Sequence, residues 1–435
     1  MAQIAIAVFL ALFVGVVWRQ TNENIFQDRF SPFNVLFFVW ILPFILSFSG
    51  MSQLQKGIFG LAMIILVIAT IVIVITLVSP PLFPGYKSAY NGRVRCRQSL
   101  ISPGRLFTLS FLLVLASLGI KIAVEFQEGI PLLAYIGDTG NSANLHRFGK
   151  DSKLQIFAQA LVIGGMLSWY CALRASGRPL LRAGALLLSA VPLVVGILKA
   201  SKSDIAEPAF LYFMVYFYTR PSSWRISFPK LFFPTVALLL IIFGVTDIRL
   251  EGQGAESYAD LIVFDVEIMP FALRQVLAQF YGYMVLGFEN FGRYVESGDD
   301  MVRLGTSMFR PLFSVLMLGS IPSGMLDALD LHELSPAANV GTFLRDLYIE
   351  GGAIMCMIGT FWNAMLIRLV YNNFRRRQDD ISMIIYVTLL FPWVWLFFTN
   401  AFSVLTVYSN CFFAAIIVWL SRRRKGYVPF DSMKI

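Results

Sequence analysis

The chain has 435 residues, 57% of them hydrophobic and 14% charged, where soluble chains carry roughly 25% charged residues. With 40 phenylalanines and a mean hydropathy of +0.70, this excludes an ordinary soluble fold and predicts a multispanning membrane protein. The net charge of +9 suggests nucleic acid at first sight, but the basic residues fall where membrane topology would put them, and no nucleic-acid partner is expected.

In chain order, the windows long and apolar enough to span are 2–18, 32–49, 57–79, 106–126, 154–172, 183–198, 205–219, 231–246, 351–370, 381–399 and 401–420. The expected fold class is therefore all-α: a polytopic helical bundle of eleven spans, or twelve, forming one integral membrane domain over 1–435. The first run has no basic residue before it and no small-residue cleavage site close behind, so it reads as a retained span. The weakest is 205–219, which is short and contains Glu207 and Pro208.

Lys and Arg set the orientation. With the C-terminus inside, 22 of the 35 basic residues fall in short inner segments. The expected topology is N-out, C-in. Two outer segments remain, 127–153 and 247–350. The second contains "FALRQVLAQFYGYMVLGFENFGRYV", apolar at helical spacing, and predicts a helical cap on the outer surface.

The outer segments hold the candidate chemistry. The long one has fifteen acids and six bases, all arginine: Arg249, Arg274, Arg293, Arg303, Arg310 and Arg345. Arginine grips phosphate with a planar fork, although most such charges pair structurally. In "LKASKSDIAEP", Lys199, Lys202, Asp204 and Glu207 sit between two spans with almost no loop; charges at that depth are expensive unless wet or paired. Lys121 and Glu125 lie one turn apart, which an i,i+4 ion pair explains. His146 and Arg147 lie in the "NSANLHRFG" loop, where a histidine is usually a polar surface group.

Four cysteines without a C-x-x-C pair and two histidines indicate no disulfide framework and no metal centre. Nucleotide-binding loops, a G-x-S-x-G elbow and H-E-x-x-H are absent from the sequence. No cofactor is expected, so energy for chemistry must arrive in the substrate. A lipid-linked pyrophosphate, a good leaving group that cations can stabilise, would supply it.

The 127–153 loop opening "GIPLL", the charged mid-chain turn, the long late loop and the pattern Thr342, Tyr348, Glu350, Gly352 together resemble the bacterial O-antigen polymerase family of Wzy-like oligosaccharide repeat-unit polymerases. Where that family often has Asp-Phe-Gly this chain has Glu350-Gly351-Gly352, and Ser201-Lys202 stands where a Ser-Arg pair is common. The resemblance implies a GT-C-like bundle in the bacterial inner membrane with its active face periplasmic. It implies a metal-independent transfer of a glycan from undecaprenyl pyrophosphate to a lipid-linked acceptor, beside a flippase and a chain-length regulator. In those roles Arg249, Arg345, Lys199 and Lys202 would surround pyrophosphate, with Arg310 and Arg274 behind them. Tyr348, His146 and Arg147 would contact substrate. Glu350 would be the general base, with Asp204, Asp346 and His332 as alternatives. Tyr281, Phe288 and Phe291 either stack on sugars or pack in the core, and Asn339 and Thr342 are candidate helix caps. Two other functions fit the same layout: an O-antigen ligase with lipid A core as acceptor, and a lipid-linked oligosaccharide flippase or transporter.

Overall fold

A computed structural model describes residues 15, 28, 30–51, 55, 57–58, 60–78, 96, 101–127, 155–199, 202–220, 271–297, 341–397, 402 and 405–422. Among them the chain is all-helical. The helices are α1 (Pro32–Leu46), α2 (Gly60–Val78), α3 (Pro103–Gln127), α4 (Gln155–Arg174), α5 (Pro179–Leu198), α6 (Lys202–Thr219), α7 (Phe271–Glu296), α8 (Phe343–Arg377), α9 (Asp380–Val394) and α10 (Leu405–Leu420). Apart from Gly15, windows 2–18 and 231–246 lie outside the described residues; the other nine each coincide with a helix. Among the described residues five segments are long and apolar enough to cross a membrane on their own: α2, α3, α5, α8, and α9 with its 3-10 extension Trp395–Phe397. Of the expected outer cap, α7 and the start of α8 are described.

Local chemistry sets the boundaries. Ser31 caps α1, its hydroxyl accepting from Asn34 N at 3.3 Å, with Pro32 at the first helical position. A π-turn, Phe37–Ile41, precedes Pro43, where the missing N–H and the ring would disturb regular α geometry. Asp379 caps α9 by accepting from Ser382 N at 2.9 Å. α8 ends at Gln378 in the left-handed conformation.

Two groups of helices meet at α9. α3, α4, α5, α6 and α10 pack together, and α1, α2, α7 and α8 form the second group. α9 touches α6 and α10 on one side, α1 and α8 on the other. It is correspondingly buried, and its Trp393 donates to Pro32 O at 2.9 Å. In the second group Trp40 is the hub. Its indole N–H reaches Thr70 Oγ1 at 3.0 Å, and the rings of Phe288 and Phe343 lie 4.9 and 5.0 Å away.

The first group packs closely because α4 carries Gly164 and Gly165. A side chain at Gly164 would meet Val114 of α3 at 2.6 Å, and one at Gly165 would meet Pro192 of α5 at 2.5 Å. Such small-residue contacts are characteristic of helices packed in lipid. The outer faces agree. Leu61, Ile64, Ile68 and Ile75 form one exposed stripe on α2, and Ile354, Ile358, Phe361 and Trp362 another on α8. Apolar stripes on several helices suit lipid, not water.

Segments expected on the inner side gather at one end of the bundle. Tyr218 and Tyr371 donate to Asp28 Oδ2 at 2.8 and 3.3 Å. Cys96 N donates to Tyr218 O, and Ser102 N to Ser421 O. Arg422 reaches Asp379 at 3.1 Å. This is called the basic end below.

Candidate functional site

The helix entering the ninth predicted span is not continuous. α8 breaks at Gly351 (φ 178°, ψ 35°) and Gly352 (φ 64°, ψ −153°). Its first limb, 343–350, folds back on the second, 353–377. Cys356 Sγ donates to Leu344 O at 3.3 Å, and a side chain at Gly359 would lie 2.6 Å from Leu347 Cδ1. Residues twelve apart in a continuous helix would be about 18 Å apart. Gly352 makes the reversal possible, since its positive φ disfavours other residues. The second limb, about 37 Å long at 1.5 Å per residue, runs to the basic end, so the break lies towards the opposite end.

Glu350 is the last residue before this break and is buried, 1% exposed. Arg345 lies one and a half turns earlier. Its Nε and Nη2 approach Asp346 Oδ1 at 3.3 and 3.2 Å, and both side chains are largely enclosed. The guanidinium stem lies over Gly341, where a Cβ would stand 2.6 Å from Arg345 Cδ. A cation near a helix N-terminus opposes the macrodipole; here Asp346 supplies the compensating negative charge. Thr342 occupies the N-cap with extended backbone, and its carbonyl accepts from Arg345 N at 3.0 Å. Its hydroxyl makes no capping bond. Tyr348 is held edge-on between Phe291 and Tyr294 of α7, with ring centroids 6.1 Å from each.

A second charged group sits where α3 ends and α5 turns into α6. Lys199 forms an ion pair with Glu125, both almost fully buried, and Lys121 Nζ lies 3.7 Å from Asp204 Oδ2. The expected intrahelical pair of Lys121 with Glu125 is thus replaced by two bridges between helices. Two features bring Asp204 this close. Gly196 lets the Asp204 backbone approach α5, since a Cβ there would stand 2.8 Å from its carbonyl carbon and oxygen. Pro208 removes the N–H that would bond the Asp204 carbonyl in a regular helix. Glu207 lies close enough to Asp204 and Lys121 to interact electrostatically.

The structure therefore gathers Lys199 and Asp204 in one cluster, and Arg345, Asp346, Tyr348 and Glu350 on one short limb. Different helix groups carry the two. Lys202 begins α6 and Arg274 lies in the first turn of α7. Arg249, Arg310, His146, Arg147, His332 and Asn339 lie outside the described residues. Sequence reasoning left Lys121 and Glu125 out of the site; their signal was two charges on one face of an apolar helix. Of the aromatic candidates, Phe288 and Phe291 are fully buried in the core. Tyr281 is a polar tie: its hydroxyl meets Ser49 Oγ at 2.9 Å and Gln55 Oε1 at 2.5 Å. Among the described residues no group of three metal-ligating side chains occurs.

At the basic end, burial pushes the Asp28 carboxyl up from 3.8 to about 6, against hydrogen bonds from Tyr218, Phe30 N and Tyr371 and the charge of Arg375. Burial likewise pushes the Cys96 thiol up to about 12, which leaves it a poor nucleophile.

No family model, no curated protein and no solved structure matches the chain.

Proposed function

We propose that the chain is a metal-independent glycosyltransferase of the bacterial inner membrane, with eleven spans in a GT-C-like bundle. In this reading it polymerises undecaprenyl-pyrophosphate-linked oligosaccharide repeat units at the periplasmic face, with a flippase and a chain-length regulator as partners. The observation that carries it is Glu350: a carboxyl buried at a helix break, on the same short limb as Arg345, towards the end of the bundle away from the basic loops. A buried carboxyl suits proton abstraction from an acceptor hydroxyl, and a cation on the same limb suits stabilisation of a departing pyrophosphate. Arg345 would release Asp346 to take the phosphate. Lys199 and Lys121 lie in the second cluster, where Asp204 and Glu125 already neutralise them. Their supporting role is to fix the α5–α6 turn.

The broken α8 also favours a second reading. Transporters place discontinuous helices and charges at their binding sites, so a lipid-linked oligosaccharide carrier would use the same break. Covalent product separates the two. Purified protein is incubated with lipid-linked repeat units and the glycan resolved on a gel. A ladder supports the polymerase. Transfer only after addition of lipid A core indicates a ligase. No product in either case overturns both enzyme readings.

A further inference from the structure

At the basic end, the elbow between α4 and α5 forms an open pocket of about 390 Å³ lined by Arg178, Arg182, Ala175, Gly177, Ala183 and Leu186. Its lining combines two arginines with small and apolar side chains. Arg178 and Arg182 lie one turn apart, both exposed, and neither guanidinium enters an ion pair among the described residues. The Arg178 guanidinium also faces the first turn of α3, with Nη1 3.9 Å from where a Cβ on Gly104 would stand. Residues 155–198 contain no acid at all, and neither do 79–100 or 220–230. One turn beyond Arg182 on the same face of α5, Leu186 is 40% exposed and lines the pocket, where an acyl chain below a bound headgroup would pass.

We propose that this pocket is a binding site for an anionic phospholipid, its phosphate gripped by Arg178 and Arg182 and one acyl chain lying along Leu186. Charge complementarity selects the occupant. Two arginines match a phosphate in a bidentate fork, and basic pockets between membrane helices take anionic headgroups. A zwitterionic lipid brings its own cation to the same place and gains less. The volume suits a headgroup rather than a whole lipid, so the chains remain in the bilayer. The proposal rests on the membrane reading and not on the glycosyltransferase reading; a preparation that makes no glycan still tests it.

The test uses the purified full chain in neutral detergent, titrated with dioleoyl phosphatidylglycerol or dioleoyl phosphatidylcholine, with retained lipid counted by native mass spectrometry. Phosphatidylglycerol is retained and phosphatidylcholine is not. Arg178→Gln with Arg182→Gln, which keeps the side-chain stems, lowers phosphatidylglycerol affinity by about tenfold or more. Arg376→Gln with Arg377→Gln, the same charge loss elsewhere at this end, changes it less than about twofold on that scale. Leu186→Glu, which places a like charge below the headgroup, gives a loss comparable to that of the arginine pair. Equal retention of the two lipids would overturn the proposal. So would full retention by the Arg178/Arg182 variant, or displacement of the lipid by millimolar inorganic phosphate, which would make this a soluble-anion site.

Discussion

Lys199 and Glu125 pair across the interface of α5 and α3 with both side chains about 6% exposed. Such a pair stabilises little by itself, but removing one member leaves the other buried without its nearest opposite charge. Lys199→Ala or Glu125→Ala should each cost about 3–5 kcal/mol, while Lys199→Met combined with Glu125→Leu should come close to wild type. Thermal unfolding in detergent of the three variants checks this. Additive losses in the double variant would mean that the two charges act independently.

Arg345 and Asp346 allow substrate contact to be told from structure. If Arg345 takes a phosphate, Asp346→Asn frees the guanidinium and should lower the KM for the lipid-linked donor, while Arg345→Ala abolishes transfer and Arg345→Lys retains a part. If the pair is merely structural, Asp346→Asn and Arg345→Ala lower stability alike and leave the KM unchanged. Glu350→Gln keeps the shape of the side chain and should remove the glycan ladder with normal insertion and elution.

Two glycines hold the charged segments in place. Gly196→Ala forces the Asp204 backbone away from α5 and should cost about 1–3 kcal/mol. Gly352→Ala places a side chain at φ 64°, ψ −153°, a region almost restricted to glycine, and should cost about 1–3 kcal/mol. Gly119, with nothing within 4 Å of a new Cβ, serves as control, because Gly→Ala in an open helix position is neutral or stabilising.

Asp28 predicts a pH dependence. Its folded pKa of about 6 lies above the ordinary 3.8, so between those values the folded chain binds more protons than the unfolded one. Its contribution to stability is full below about pH 4 and is lost as pH rises to about 6. Asp28→Asn should remove that slope, gaining up to about 3 kcal/mol on wild type between pH 4 and pH 7. Unfolding curves at the two pH values measure the difference; parallel behaviour of variant and wild type would rule the assignment out.

Much of this fold was legible because apolar runs of span length have one stable form in lipid, a helix. The window 183–198 and helix α5, or 381–399 and α9 with its extension, agree within a few residues. The partners of Lys121 and Glu125 were not legible. Local spacing offered them each other, and only the approach of α5 and α6, fixed by Gly196 and Pro208, offered Lys199 and Asp204 instead. The reversal after Glu350 was present in the sequence as Gly351-Gly352. It was read through because a helix capped at Asn339 or Thr342 was expected to run on into 351–370, and hydropathy does not register backbone direction. Asp28 went unnoticed for a related reason: its partners, Tyr218 and Tyr371, lie 190 and 343 residues away.

The position of α9 between the two helix groups bears on how the protein is made. α1 leaves the ribosome some 350 residues before α9 does, since Trp393 and Pro32 are 361 positions apart. At about 5–20 residues per second, the early helices wait roughly 20–70 s in the membrane for the helix that joins them. Throughout that interval the face of α1 destined for α9 is open to lipid and to other newly inserted chains; that of α6 is open for about the second half of it, and that of α8, which directly precedes α9, only briefly. Assembly is then completed late, from the C-terminal end, and is most exposed to error while α9 is still being synthesised.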